Sequence, residues 1–184
     1  MNYEQKNSVQ KTVLTGVMAA LLAVLSQISI PLPSGVPVTL QTFAVALCGY
    51  FLGPVMGTAA VGVYLALGAV GVPVLAGFSG GLGYFLGVTG GFLWGFLPMA
   101  ILCGLGIKVG NKVLAIVLGL AGLAVCHLFG CVQFALVMNT SFIEAFSIAS
   151  LPYLIKDVVS VGLAYLAAVG FAATLKKAGL GGAA

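Results

Sequence analysis

Two neighbours of opposite charge, Lys156 and Asp157, stand inside the apolar segment LPYLIKDVVS. The chain has only three acidic residues. A charge at the centre of a bilayer costs roughly 2.5–3.5 kcal/mol on insertion scales, and such residues usually face a bundle interior or a cavity. A carboxylate accepts N–H donors and an ammonium favours an anionic group, so the pair reads as a polar ligand anchor at the floor of a pocket. Adjacent positions diverge by ~100° around a helix, so no simple intrahelical pair is expected and each residue needs its own partner. The plainer alternative is structural: Asp157 ties to loop hydroxyls and Lys156 snorkels to headgroups. His127, beside Cys126 and near Cys131, invites a metal reading, but the carboxylates are distant in sequence, so a hydrogen-bonded structural histidine is expected instead. The GLGYFLG stretch has the wrong final spacing for a dinucleotide fingerprint, and no GxxxxGK[ST] is present to cradle ATP.

The elements that position these residues follow from composition. The chain is 61% hydrophobic and 5% charged, and it contains no arginine. From Lys11 to Lys108 no Lys, Arg, Asp, Glu or His intervenes. So little charge cannot cover a water-soluble surface. The chain is expected to be an all-α integral membrane protein lying in the lipid bilayer, multi-pass and in the cell membrane. It is read as one transmembrane domain over residues 1–184, a single bundle. The polar N-terminus followed by a full apolar span reads as a retained helix, not a cleaved signal. Cys48, Cys103, Cys126 and Cys131 lie in apolar runs without CxxC spacing, so neither a disulfide framework nor a zinc site is expected. The net charge of +4 reflects orientation in the membrane, not nucleic-acid binding.

Proline and glycine clusters divide the apolar sequence into six spans of about 12–30, 38–52, 55–72, 88–107, 112–138 and 152–175. PLPSGVPV ends the first, and Gly53-Pro54 the second. PVLAGFSGGLGYFLGVTGG is too glycine-rich to be helical with assurance, and NTSFIEAFSIAS reads as a short interfacial helix. The terminal GLGGAA is featureless. Strand alternation of the kind a barrel needs is absent.

With six spans, Lys6, Lys11, Lys108, Lys112, Lys176 and Lys177 all fall on one side, while the opposite loops carry only Glu144. Both termini are therefore expected to be cytoplasmic. The outward connectors are then the proline-stiffened one between spans 1 and 2 and the glycine-rich one between spans 3 and 4. Irregular backbone at membrane depth is tolerated where it packs on protein or lines a cavity, so a six-transmembrane-helix bundle with a ligand pocket in its outer half is expected.

Several segments together resemble one family. VPVTLQTF (36–43), YLALGAVGVPVLAGFSGG (64–81), GVTGG (87–91) and the LP…D element of the last span look like BioY. These are the biotin-specific S components, or substrate-binding subunits, of energy-coupling factor (ECF) transporters. The resemblance covers nearly the whole chain. Two positions depart from the pattern. Val88 replaces the proline of GPTGG; in PGDxxK, Lys156 replaces the glycine and Ser160 stands where the lysine is expected.

The resemblance implies a non-enzymatic protein that captures biotin from outside. It would dock on an ECF energy-coupling module of a transmembrane coupling protein and two ATPases. No cofactor of its own is implied, since partner subunits use ATP. Gly16-xxx-Ala20 and Ala19-xxx-Ala23 form small-residue ridges on the first helix that resemble the family's docking face; ordinary internal packing is the alternative. Biotin offers a ureido ring, an apolar thiolane ring and a carboxylate. Asp157 is expected to accept a ureido N–H, and Gln41 and Thr39 to add polar contacts. Ser79 and the amides of Gly77, Gly80 and Gly81 are expected to approach the ligand closely. Phe78, Tyr84 and Trp94 are expected as apolar walls, and Lys156 as a neutraliser of the carboxylate or a holder of ionised Asp157. A stand-alone ion-coupled transporter of a small vitamin-like molecule is the main rival. A channel lacks a filter motif, and an enzyme lacks a nucleophile–base constellation.

Overall fold

Backbone breakers decide where the helices stop. The computed structural model describes residues 3–33 and 35–177; the GLGGAA tail lies outside the described residues, as do the side chains of Lys6 and Lys176. Helix α1 spans Tyr3–Ser26. Its end is tied off by Gln27 Nε2, which donates to the Ala23 carbonyl at 2.8 Å. The proline-stiffened connector that follows contains an unexpected two-stranded ribbon. Strands β1 (Ser29–Ile30) and β2 (Val38–Thr39) pair antiparallel, with Ser29 opposite Thr39 and Ile30 opposite Val38.

Helix α2, Gln41–Ala69, is interrupted at Gly53, where φ is 77° and ψ −179°, and Pro54 follows without an N–H to continue the ladder. The chain folds back there. Gln41 Nε2 donates to the Tyr64 hydroxyl at 2.7 Å, although 23 residues of straight helix would separate them by ~34 Å. α2 is thus a hairpin with arms 41–52 and 54–69. Beyond it the glycine-rich stretch contains a short helix α3, Leu82–Leu86, where irregular chain was expected. Helix α4 covers Gly90–Lys108 and α5 covers Lys112–Met138. Helix α6, Phe142–Ala149, starts with a capping box between Ser141 and Glu144. A 3₁₀ turn, Leu151–Tyr153, leads into α7, Leu154–Lys177.

The α2 hairpin occupies the centre, packed against α1, α4 and α7, while α5 packs on α4, α6 and α7. Glycine permits the closest approaches: Gly49 faces the Ala100 backbone of α4, and Gly104 of α4 faces the backbone at the Gly53-Pro54 turn. The core includes Leu22, Val45, Tyr50, Val61, Tyr64, Met99 and Val161, all 2% exposed or less. Large apolar side chains such as Val55, Leu136, Ile155 and Leu166 point outward, as lipid-facing positions do. Among the described residues, five stretches are long and apolar enough to cross a bilayer: Val9–Ser26, Gln41–Ala69, Gly90–Lys108, Lys112–Met138 and Phe142–Thr174. The chain is a multi-pass membrane protein.

The two small-residue ridges of α1 separate in the structure. Ala19 is buried at 4% exposure and Ala23 is partly buried against the core. That ridge packs internally, which corrects its expected place on a docking face. Gly16 and Ala20 stay exposed, and no described residue approaches Gly16.

The end of α1 also grips the glycine-rich connector. Ser26 Oγ and Gln27 Nε2 donate to the Val74 carbonyl at 2.5 and 3.0 Å, and Gln27 Oε1 accepts the Phe78 N–H at 2.7 Å. Phe78 has φ 57°, a left-handed conformation uncommon for a bulky residue, so the bond holds a strained point of the loop. Gln27→Ala is expected to release it at a cost of about 1–2 kcal/mol, read as roughly five- to thirtyfold faster hydrogen exchange at the Phe78 amide. Unchanged exchange there would show that other contacts hold the loop.

Candidate functional site

The first turn of α7, the middle of α5, the N-terminal half of α4 and the two irregular connectors surround a cavity of about 510 Å³. That volume lies within the ~300–1,000 Å³ of small-molecule sites. Pro31, Leu32, Val36, Pro37, Leu75 and Ala76 close it from the connectors. Phe92, Leu93 and Phe96 of α4, and Leu123 and Cys126 of α5, supply apolar walls. Tyr153 lines it too, its hydroxyl donating to the Val36 carbonyl at 2.5 Å and so pinning the first connector to the 3₁₀ turn.

Asp157 sits in the first turn of α7 and is 5% exposed. Four features offset the cost of a buried carboxylate. The N-terminal end of a helix favours negative charge. Lys156 Nζ lies 2.5 Å from Asp157 Oδ1, and His127 Nε2 lies 3.3 Å from Oδ2. The Thr42 hydroxyl also faces the carboxylate. The direct contact between Lys156 and Asp157 corrects the expectation that helical neighbours would not meet. The long lysine stem folds back across the ~100° offset. Its ammonium also donates to the Thr39 carbonyl at 2.8 Å, tying α7 to the end of β2.

Removing one member of such a pair leaves the other uncompensated. Lys156, with its side chain 29% exposed, keeps partial access to water, which moderates the effect. Lys156→Met is therefore expected to lower stability by about 1–3 kcal/mol, with Lys156→Arg losing less. Thermal unfolding of the purified variants measures both; equal stability of Lys156→Met and the parent would show that the pair contributes nothing net.

Of the residues singled out from sequence, Asp157, Lys156, Gln41, Thr39, Gly77, Ser79 and Tyr84 line the cavity. Gln41 is largely engaged by protein: it accepts the Thr39 hydroxyl at 3.0 Å and donates to Tyr64 at 2.7 Å. Ser79 donates to the Ala76 carbonyl at 2.8 Å. Four others are not brought to the cavity. Phe78 is 72% exposed, turned out by its left-handed backbone. Gly80 packs against the backbone of Gly71 and Val72, and the Gly81 N–H bonds the Gly68 carbonyl at 2.7 Å. Trp94 lies on the far face of α4, edge-on to Phe85 at 5.3 Å in a separate outer groove. Sequence reasoning missed Thr42, Phe92, Phe96 and Tyr153, whose types differ little from ordinary helix residues. His127 is hydrogen-bonded as expected, through Nδ1 to the Ser150 hydroxyl at 2.7 Å, and its Nε2 also lies 3.3 Å from Asp157 Oδ2 where it lines the cavity. The described residues hold no group of three metal-ligating side chains.

A multi-pass helical membrane protein thus carries an apolar-walled cavity that ends on a buried carboxylate and a partly exposed ammonium, the layout of a small-molecule site. The chain belongs to the BioY family, whose model matches residues 2–177. It is 37% identical over 155 residues to the "Probable biotin transporter BioY" of Pyrococcus horikoshii, covering 84% of this chain and 91% of that protein. The "Biotin transporter BioY" of Thermotoga maritima is 39% identical over 156 residues, covering 84% and 90%. That of Rhodobacter capsulatus is 45% identical over 132 residues, covering 68% and 70%. Among solved structures, the S-component for biotin from an ECF-type ABC transporter superposes with a TM-score of 0.81 at 27% identity, covering 91% of this chain and 92% of that one. The family is one of transporter components, not enzymes.

Proposed function

We propose that this chain captures biotin and serves as the S component of an ECF transporter. One observation carries the reading: a cavity of about 510 Å³ whose apolar walls end on Asp157 and Lys156, within a BioY-family fold. Biotin presents the matching chemistry, a urea with two N–H donors on an apolar bicycle. Asp157 accepts a ureido N–H, and the Lys156 ammonium stands 2.5 Å from its Oδ1. Gly77, Ser79 and Tyr84 complete the wall nearest the glycine-rich connector.

Counting the α2 arms separately gives six crossings with both termini cytoplasmic. Two facts support this arrangement. The hairpin turns at Gly53, and Lys108 and Lys112 flank the α4–α5 turn as the positive-inside rule requires. Asp157 begins α7 and Lys177 ends it, so the cavity lies at the end remote from the lysines and opens to the outside. Partner ATPases hydrolyse ATP, because no P-loop exists in this chain. The exposed Gly16–Ala20 strip of α1 contributes to docking on the coupling protein.

Purification followed by mass spectrometry of tightly retained small molecules tests the substrate, and biotin is the expected species. Recovery of a different vitamin would overturn the ligand while sparing the class. A second reading, ion-coupled transport without ATPases, draws on the His127–Asp157 contact, since proton coupling uses such intramembrane pairs. Uptake that survives loss of the ATPases and collapses with an uncoupler would favour it.

A further inference from the structure

The cavity carboxylate stands at the end of a line of hydrogen-bonding groups that the proposed function leaves unexplained. His127 Nε2 is 3.3 Å from Asp157 Oδ2, and its Nδ1 is 2.7 Å from Ser150 Oγ. The Cys131 thiol rests against the same hydroxyl. Phe92 meets the imidazole edge-on at 5.8 Å, fixing the ring plane. His127, Ser150, Cys131 and Asp157 are all buried.

A neutral imidazole carries one N–H and one bare nitrogen, and the partner of each nitrogen decides which is which. An ionised carboxylate only accepts, so the Asp157 contact needs the hydrogen on Nε2. Nδ1 is then bare and takes the Ser150 O–H. Donors therefore run one way, from Ser150 through His127 to Asp157.

We infer that His127 is a positioning residue for ligand recognition: Asp157 selects its Nε2–H tautomer, the Ser150 hydroxyl anchors the bare Nδ1, and His127 then holds Asp157 with its remaining lone pairs turned into the cavity. The inference rests on the proposed binding of a urea-like ligand at Asp157. The χ2 torsion of aspartate is broad, so the carboxylate plane is not set without a directional contact. Lys156 pairs with Oδ1 by charge, without a directional hydrogen bond there, so His127 at Oδ2 supplies the orienting anchor. Without His127 the carboxylate swings toward the ammonium and meets ligand N–H groups poorly.

The test uses the full chain in lipid nanodiscs, with biotin titrated calorimetrically and histidine followed by ¹⁵N NMR. The parent protein is expected to show an N–H at Nε2 and a bare Nδ1. Ser150→Ala should leave Nδ1 without its partner, shift the histidine ¹⁵N signals and weaken biotin binding several-fold. His127→Phe should weaken it about ten- to a hundredfold. His127→Gln, with an amide donor, should recover part of that loss. If His127 acts through Asp157, the His127→Phe/Asp157→Asn double variant binds no worse than Asp157→Asn alone. A parent protein that binds no biotin would defeat the functional reading, while the histidine spectrum would still judge the tautomer. A proton on Nδ1 in a biotin-binding parent, or fully additive losses in the double variant, would overturn the inference. Should His127→Phe fail to fold, Ser150→Ala decides: unchanged affinity with an unchanged histidine spectrum overturns it equally.

Discussion

Asp157→Asn is expected to weaken biotin binding by at least about a hundredfold while leaving a folded, monodisperse protein. The amide keeps the size of the carboxylate, so packing around the first turn of α7 is preserved. Its chemistry is reversed on one side: an NH₂ group now faces His127, Lys156 or the ligand, all of them donors. Losing a hydrogen bond to a charged acceptor costs about 1.5–3 kcal/mol, and the unpaired Lys156 ammonium adds to it. Because the lysine side chain is 29% exposed, it can relax toward water in the cavity, so the loss falls on affinity more than on folding. Calorimetric titration alongside thermal unfolding separates the two. Parent-like affinity in a folded variant would remove Asp157 from the site and with it the proposed ligand pose.

The second large effect concerns the fold. Gly104→Leu is expected to prevent recovery of a folded protein. A Cβ at this position would collide with backbone atoms of Gly53 and Pro54, which cannot yield as a flexible side chain could. Overpacking ordinarily costs about 1–3 kcal/mol, and a backbone obstacle at a closed turn belongs above that range. Gly62 is the control: it lies in the second arm of α2 with no described atom near its missing Cβ. Gly62→Ala is expected to be neutral or stabilising by up to about 1 kcal/mol, since alanine is the better helix former. Size-exclusion profiles and unfolding temperatures read both. A monodisperse Gly104→Leu protein of parent-like stability would mean that α4 does not press on the hairpin turn.

Gly53 and Gly104 also mark where local and tertiary information part. Gly53-Pro54 is a legible break, because glycine reaches positive φ and proline ends the ladder. That the two arms then fold against one another, with Gln41 meeting Tyr64, requires the packing of α4 across the turn. Likewise the glycine-rich connector is visible as irregular chain, but which of its residues face the cavity is not. Gly77 and Ser79 reach it, whereas Phe78 between them turns outward and Gly80 and Gly81 are spent on backbone contacts. Alternation along an irregular loop has no fixed period from which to read direction.

By itself, the sequence determined the membrane class, the places where helices break, the family, and Asp157 with Lys156 as the costly charges a cavity must justify. Those follow from composition, from the steric rules of proline and glycine, and from the desolvation of charge, all of which act locally. Only the tertiary structure decided that Lys156 bends back onto Asp157, that His127 and Ser150 converge on the same carboxylate, and that Ala19 turns inward while Trp94 lies outside the cavity. These depend on how α5, α6 and α7 are placed in space, over separations of 23 residues from Ser150 to His127 and 117 from Lys156 to Thr39. No local propensity spans such distances; close packing of whole helices does.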